Sequence, residues 1–379
     1  MNFINLIFNS QTYGRDTVKK IFLFTAIMWF PLVLISFISG TLFSFDKSIK
    51  IPFLYDLLTN ARFLISFPLI FFSIKIINNL ISKSFDHFLS TEIIFKDDLG
   101  KFKQISDSFY KFKDSNLSNT IILIFSYFWT FYFWRDTEDI SGINTWRFFG
   151  ANDLGLQPVG YWYYIISIPF YQFFLFKMIW TFFIWSFSLL RISRLKLNLS
   201  SSSPDGAGGL AFLGYTQISF GLLGFAQNVT LSAGIANLIK YNNESFLDYR
   251  YNIITGILVF SLVYISPLMF FSKQMFKTKM LTLFEYSKLG LLYGTSFENK
   301  WIKKNLPQTE ETFLGTADIQ SLADLSNSVK MVQDQLIFPL RLTTFIVFFV
   351  FLLIPYLPLL LFRFTSQEIF EAIIKLFTG

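Results

Sequence analysis

The chain has 379 residues, 53% of them hydrophobic, 20% aromatic and only 15% charged, with a formal net charge of +7. A water-soluble domain carries about 25% charged residues, so this composition excludes an ordinary soluble enzyme and indicates helices that face lipid or one another. Cysteine is absent, which excludes disulfides, thiolate metal sites and a cysteine nucleophile. The surplus of bases is what cytoplasmic membrane anchors supply, and no duplex DNA binding is expected from it.

Apolar runs of roughly 18 or more residues are long enough to cross a hydrocarbon core about 30 Å thick. Such runs are predicted at 21–44, 63–81, 119–134, 161–190, 210–239, 252–272 and 342–362. The expected fold class is therefore all-α, a polytopic helical membrane protein with about seven transmembrane helices and cytoplasmic helical segments. The first run follows Lys19 and Lys20, is longer than a signal-peptide core and lacks a small-x-small cleavage site, so it reads as a retained helix. The third is the shortest in clearly apolar residues and leaves six or eight crossings open.

A cytoplasmic N-terminus puts most of the 32 Lys and Arg on the inner side. The inner bases cluster from Lys83 to Lys113, at Arg191, Arg194 and Lys196, and at Lys273, Lys277, Lys279, Lys300, Lys303 and Lys304. On the outer side "RDTEDISGINTW" is acidic, and "YWYY" at 161–164 suits an interfacial aromatic belt. The chain then divides into a transmembrane domain (1–272), a cytoplasmic helical segment (273–341) and a closing portion (342–379). The first of these holds six spans and a cytoplasmic helical loop at 82–118. In the second, Leu322, Leu325, Val329, Val332 and Leu336 alternate at spacings of three and four, a short heptad seam. It packs either on a helix of the same chain or between subunits. In the third, Thr365 and Glu368 fit a capping box, followed by an apolar face of Ile369, Phe370, Ile373, Ile374 and Phe377.

The stretch "RISRLKLNLSSSSPDGAGGLAFLG" (191–214) separates the fourth and fifth spans. Pro204 stops one helix, Asp205 can cap the next, and Gly206, Gly208 and Gly209 let the backbone bend. A helix start offers open amides, and Arg191, Arg194 and Lys196 precede it, so a phosphate, lipid head group or acidic side chain is one expected occupant. A tight turn with positive-inside anchors is the other reading. "GAGGLA" matches G-x-G-x-x-A, but it follows a membrane helix and lacks the Gly-Lys-Ser/Thr ending of a nucleotide loop.

In the fifth span Gly214, Gln217, Gly221, Gly224 and Asn228 recur at three, four, three and four, and Ser232 extends the face. Such a face either packs closely against a neighbour or lines water. Lys75 sits near the end of its span and can snorkel. Lys177 falls near the middle of the fourth, where it either faces a conduit or lies shallower than counted. No Asp or Glu lies within a predicted span, and the two halves show no evident self-similarity, both of which weigh against an ion-coupled carrier.

Two regions, the hinge with two stretches and a later helix with one, resemble a family of uncharacterised bacterial polytopic inner-membrane proteins. The Arg-Ile-Ser-Arg-Leu stretch falls at Arg191 to Leu195 and the Pro-Asp-x-Ala-Gly-Gly-Leu turn at Pro204 to Leu210. The Ile-Gln-Ser-Leu-Ala-Asp-Leu helix lies at Ile319 to Leu325. The resemblance implies bacterial origin, an inner (cytoplasmic) membrane location and a shared topology over most of the chain, but no activity. The family often has histidine before the proline, where this chain has Ser203.

The function expected from these features is an oligomeric membrane channel or pore. The fifth span and Lys177 would line the path, and a cytoplasmic anionic ligand, a nucleotide or short oligonucleotide, would gate it as in a bacterial defence effector. Membrane lipid and further copies of the chain are the expected partners. The alternatives are a secondary carrier, a scaffold docking a cytoplasmic partner, and a lipid-modifying enzyme. The enzyme has least support: His87 is the one imidazole, and adjacent Asp97 and Asp98 point to different sides of a helix. No catalytic residue, metal ligand or cofactor is predicted.

Overall fold

The computed structural model describes residues 15–43, 49–133, 145–148, 155–242, 244–303 and 317–362. These are helical throughout, joined by turns and three isolated backbone bridges, Ile51 with Thr145, Ile94 with Leu197 and Phe148 with Leu156. The predicted C-terminal amphipathic helix (365–377) and most of the acidic outer loop lie outside the described residues.

Helix α1 spans Arg15–Ile38, α2 Leu57–Ser90, α3 Leu99–Lys113 and α4 Asn116–Phe133. Helix α5 runs Pro158–Ile192, α6 Ala211–Ser219, α7 Gly221–Asn242 and α8 Arg250–Ile265. A 3₁₀ turn, Ser266–Phe271, leads into α9, Ser272–Trp301. Helix α10 is Ala317–Asp334, and α11 is Leu342–Leu353, continued as 3₁₀ helix over Ile354–Phe362.

Six helical segments among the described residues are long and apolar enough to cross a membrane by length and composition, and they suggest a membrane location. The sequence predicted seven. The difference is α4, whose first turn carries Asn116, Ser118, Asn119 and Thr120 and so shortens its apolar stretch. Large apolar side chains stand open around the bundle, among them Phe22, Ile38, Leu117, Ile124, Phe128 and Leu262. An apolar belt of that extent suits lipid and not water.

Helices α2 and α5 share one local design. Each begins with five α-helical residues (Leu57–Ala61, Pro158–Trp162), widens into a five-residue π-helix (Arg62–Ser66, Tyr163–Ser167), and continues as α-helix over 24 and 25 residues. The cause is the same in both. Pro68 and Pro169 have no amide to give the carbonyl four residues back, and their rings crowd it. The turn therefore opens, and the amides of Phe67 and Ile168 reach the carbonyls of Arg62 and Tyr163 five residues back. Both sites read Ile-Ser-x-Pro: Ile65-Ser66-Phe67-Pro68 and Ile166-Ser167-Ile168-Pro169. Each buried serine ties its helix to another span, Ser66 Oγ donating to the Ala226 carbonyl at 2.7 Å and Ser167 Oγ to the Met28 carbonyl at 2.8 Å.

The order of elements after each π-helix also repeats: a long helix, a turn, a shorter helix (α3 or α6), then a further helix (α4 or α7). Packing is reciprocal. Helix α3 lies on α5, with Phe109 edge-on to Trp185, while α6 lies on α2, with Phe88 edge-on to Phe212 and Ser84 hydrogen-bonded to Thr216. The two stretches thus share an order of elements although their sequences show no evident overall self-similarity, and the sequence likeness is confined to the two short Ile-Ser-x-Pro sites.

Helix α10 packs along α9, with Leu322, Leu325 and Val329 half-buried and Val332 buried. The heptad seam is therefore used within the chain.

Candidate functional site

The 204–210 turn has φ of +67°, +68° and +96° at Gly206, Gly208 and Gly209, left-handed values that glycine adopts without strain. The amides of Gly206, Ala207, Gly209 and Leu210 are taken locally. The Asp205 carboxylate accepts from the amides of Ala207 (2.9 Å), Gly209 (3.0 Å) and Ala211 (3.0 Å). Burial alone would raise the pKa of Asp205, but these three bonds outweigh it and hold the carboxyl below its ordinary value. The anion this turn holds is its own.

The bases predicted to complete an anion site are not gathered there. Among the described residues the Arg191 and Arg194 side chains make no hydrogen bond or ion pair, and Lys196 gives its backbone amide to Asp98 at 3.0 Å. The segment after α10 docks on the turn instead, with the Leu336 amide donating to the Gly206 carbonyl and the Arg341 guanidinium nearest Gly206. Of the predicted site, Asp205, Gly206, Gly208 and Gly209 form a turn that takes three amides on the Asp205 carboxylate and seats this segment, while Arg191, Arg194 and Lys196 make no side-chain hydrogen bond to it among the described residues.

The predicted pore face is also filled by protein. A methyl group built on Gly214 would lie 2.8 Å from the Pro339 carbonyl oxygen, on Gly221 2.5 Å from the Phe348 ring, and on Gly224 3.0 Å from both Leu352 and Tyr264. Gln217 accepts from Trp185 Nε1 and donates to the Tyr264 carbonyl. Asn228 donates to the Leu352 carbonyl and accepts from the Tyr356 hydroxyl. Ser232 is buried on the same helix. Gly214, Gln217, Gly221, Gly224, Asn228 and Ser232 are therefore buried in packing: Gly221, Gly224 and Asn228 against α11, Gly214 against the Pro339–Leu340 segment before it, and Gln217 against Trp185 and Tyr264.

Lys177 is 2% exposed and donates to the Lys113 carbonyl and to Asn119 Oδ1 at 2.6 Å. It clamps the α3–α4 connection to α5 and does not face a conduit. It lies 19 residues from the start of α5, about 28 Å at 1.5 Å per residue, so it marks the far end of a membrane-length stretch. Lys113 Nζ reaches Asn78 Oδ1 on α2 at 3.3 Å, bringing both long helices to the same polar level.

Where the two π-helices meet, Arg62 Nη1 donates to the Tyr163 hydroxyl at 2.6 Å, and the Arg62 guanidinium lies 5.8 Å from the centre of the Tyr171 ring. Each of the paired residues stands five positions into its helix, about 8 Å from the end. An arginine at the centre of a membrane helix costs about 2.5–3.5 kcal/mol, and this shallower depth with a phenolic partner lowers that cost. The pair borders a cavity of about 540 Å³. Its walls come from α2, α4, α5, α7 and α8 and from Arg147 of the 145–148 loop.

Polar groups ring one part of it. Thr130 donates to Gln172 Oε1 at 2.8 Å, Tyr264 donates to Gln227 Oε1 at 2.7 Å, and the Tyr171 hydroxyl lies 3.3 Å from Thr230 Oγ1. Beside the cavity Asp56 is wholly buried. It receives Thr59 through both backbone and hydroxyl, Trp146 Nε1 at 2.9 Å and Asn237 Nδ2 at 2.8 Å, with Arg147 Nη2 at 3.6 Å. Burial would raise its pKa, but Arg147 and these hydrogen bonds bring it below the ordinary value. One turn beyond Ile179, the deepest cavity residue on α5, Phe182 packs against the Phe220 and Tyr264 rings. Phe220 is also where α6 breaks from α7.

No protein-family model, curated protein or solved structure matches the chain. The sequence reading missed Arg62, Tyr163, Asp56, Trp146 and Arg147. One signal was present: the repeated Ile-Ser-x-Pro site, each with a polar residue four positions before the serine. Among the described residues no cluster of three metal-ligating side chains is found.

Proposed function

We propose that this chain is a bacterial inner-membrane protein with its N-terminus in the cytoplasm, acting as a carrier that binds its solute in the cavity between the two π-helices. The observation that carries this reading is the Arg62–Tyr163 pair, formed by corresponding, proline-interrupted positions of two stretches that share an order of elements. In carriers the binding site commonly lies at the interface of two repeats, where membrane helices are interrupted. The discontinuity between α6 and α7 at Phe220 is of the same kind, and the aromatic layer of Phe182, Phe220 and Tyr264 acts as the closed inner barrier.

In this reading α4 is a seventh crossing. It is 18 residues long, about 27 Å, and runs beside the outer part of α5, from the Lys177–Asn119 clamp to the Thr130–Gln172 and Tyr127–Ile165 bonds. The inner ends of α2 and α5, with α3, α6, α9 and α10, then form a cytoplasmic cap.

The chain has no cysteine, so single cysteines can be introduced without background. Gln172→Cys and Gln227→Cys are expected to react with a membrane-impermeant maleimide added from outside. Absence of reaction at both, while a cysteine at exposed Lys50 reacts, rejects the carrier reading.

A second reading, the oligomeric channel, is favoured by one feature. Helix α9 leaves Phe276, Leu281, Phe284, Leu291 and Leu292 exposed, a surface that further copies of the chain would cover. Single-channel recording with cytoplasmic nucleotides or short oligonucleotides tests it, and unitary currents would decide in its favour.

A further inference from the structure

We propose that the cavity between the π-helices takes an anionic amphiphile: a carboxylate or phosphate monoester head with one alkyl chain, the head held by Arg62 and the chain lying along Leu175, Phe176, Ile179 and Phe260. This rests on the carrier reading and names its substrate class.

Charge is the first argument. The charged side chains of the cavity wall are Arg62 and Arg147. Arg147 stands 3.6 Å from Asp56, whose two oxygens are occupied by Thr59, Trp146 and Asn237. Among the described residues Arg62 has no carboxylate within 4 Å, and the hydrogen bond it makes goes to a neutral phenol. Among the described residues the cation of the wall that faces no carboxylate is Arg62. A guanidinium has five N–H donors in a planar fork suited to carboxylate and phosphate oxygens. One of Arg62's nitrogens serves Tyr163, and an arriving head group meets the remaining donors with Tyr171 beneath.

Shape is the second argument. On α5 the cavity extends from Tyr163 to Ile179, sixteen residues or about 24 Å of helix. Beyond Gln172 the α5 wall is Leu175, Phe176 and Ile179, with Phe260 on α8, a surface that a hydrated inorganic anion would not use. A volume of about 540 Å³ lies in the range of sites for small organic ligands. The two guanidinium groups stand at one end, and at the other the wall is apolar on α5 and α8, with Gln227 turned to the Tyr264 hydroxyl, which is the order of an amphiphile.

The test is a titration of the full chain in zwitterionic nanodiscs with dodecanoate, dodecyl phosphate, dodecanol and inorganic phosphate. Two readouts follow it: tryptophan fluorescence, since Trp129 lines the cavity, and protection of Gln172→Cys from maleimide. Dodecanoate and dodecyl phosphate are expected to bind about 10- to 100-fold more tightly than dodecanol, the worth of a charge-assisted hydrogen bond, and to protect the cysteine. Inorganic phosphate is expected not to protect it. Arg62→Gln should bring the anionic amphiphiles to the dodecanol level, whereas Arg62→Lys should retain part of the difference.

Ile179→Trp fills the chain end without touching Arg62 and should weaken every alkyl ligand, so the proposal is still tested if Arg62→Gln does not fold. Equal binding of dodecanol and dodecyl phosphate overturns the anionic head, and protection by inorganic phosphate alone overturns the chain. If Gln172→Cys reacts yet no amphiphile protects it, the ligand class falls while the carrier site stands. If neither Gln172→Cys nor Gln227→Cys reacts while a cysteine at Lys50 does, both readings fall.

Discussion

Gly221 leaves 2.5 Å between the position of an added methyl group and the Phe348 ring, whereas nothing lies within 4 Å of the same position at Gly290. Gly221→Ala is therefore expected to destabilise the protein by about 1–3 kcal/mol, the usual cost of overpacking, and to loosen α11 from α7. Gly290→Ala, in the middle of α9, is expected to stabilise by about 0.5–1 kcal/mol through helix propensity alone. Thermal unfolding in detergent reads both, and a neutral Gly221→Ala would show that the seam yields. Asp56 supports a second expectation. Its folded pKa lies below 3.8, so its contribution to stability is fully present above that pH and is lost as pH falls through the folded value. Asp56→Asn leaves Arg147 without its carboxylate and should cost about 3–5 kcal/mol near neutral pH. The wild type should lose stability relative to the variant on acidification below pH 3.8. A constant difference between the two, followed by unfolding across that range, would count against this account.

At the scale of elements the two π-helices are the parts most open to test. A π-turn holds one residue more than the α-helical path, so regularising it rotates everything before it by about 100°. Pro169→Ala restores the amide that the Ile165 carbonyl lacks. It is expected to convert 163–167 to α-helix, turn Tyr163 away from Arg62 and weaken amphiphile binding by about tenfold, the loss of one positioned hydrogen bond. Pro68→Ala should do the same from the other side. Unchanged affinity in both variants would mean that the prolines do not maintain the pair. The 204–210 turn illustrates the limit of motif reading. Its glycines and Asp205 were visible as a turn with a cap, yet the same residues fit a phosphate cradle. Only the three bonds into Asp205 separate the two.

For the molecule as a whole, α2 and α5 are longer than a bilayer needs. At 34 and 35 residues each exceeds 50 Å, against a hydrocarbon core of about 30 Å. The surplus lies where α3, α6 and α9 gather, and Lys177, Lys113 and Asn78 mark its boundary. A cysteine at Ser202, in the loop beyond this boundary, is expected to react with an impermeant maleimide only in inside-out vesicles. A cysteine at Lys50 should react only in right-side-out ones. The reverse pattern would invert the topology, and labelling of both from one side would abolish the membrane assignment.

Composition and apolar run length determined the helical class and the approximate spans. The predicted 342–362 coincides with α11 and its 3₁₀ extension, and 21–44 overlaps α1 up to Ile38, since transfer into lipid depends on what each segment is made of and not on its neighbours. The seam from Leu322 to Val332 was legible for the same reason, as a periodicity local to one helix. The use to which each face is put was not. The stripe of Gly214, Gln217, Gly221, Gly224 and Asn228 has the same spacing whether it meets water or other parts of the protein, and Lys177 counts as mid-span until α3 is placed beside it. Arg62 and Tyr163 are 101 residues apart, and Asp56 collects Trp146, Arg147 and Asn237 from two other regions of the chain. Such meetings are decided by how helices pack, where close contact and hydrogen-bond satisfaction select one neighbour among many that hydropathy cannot distinguish.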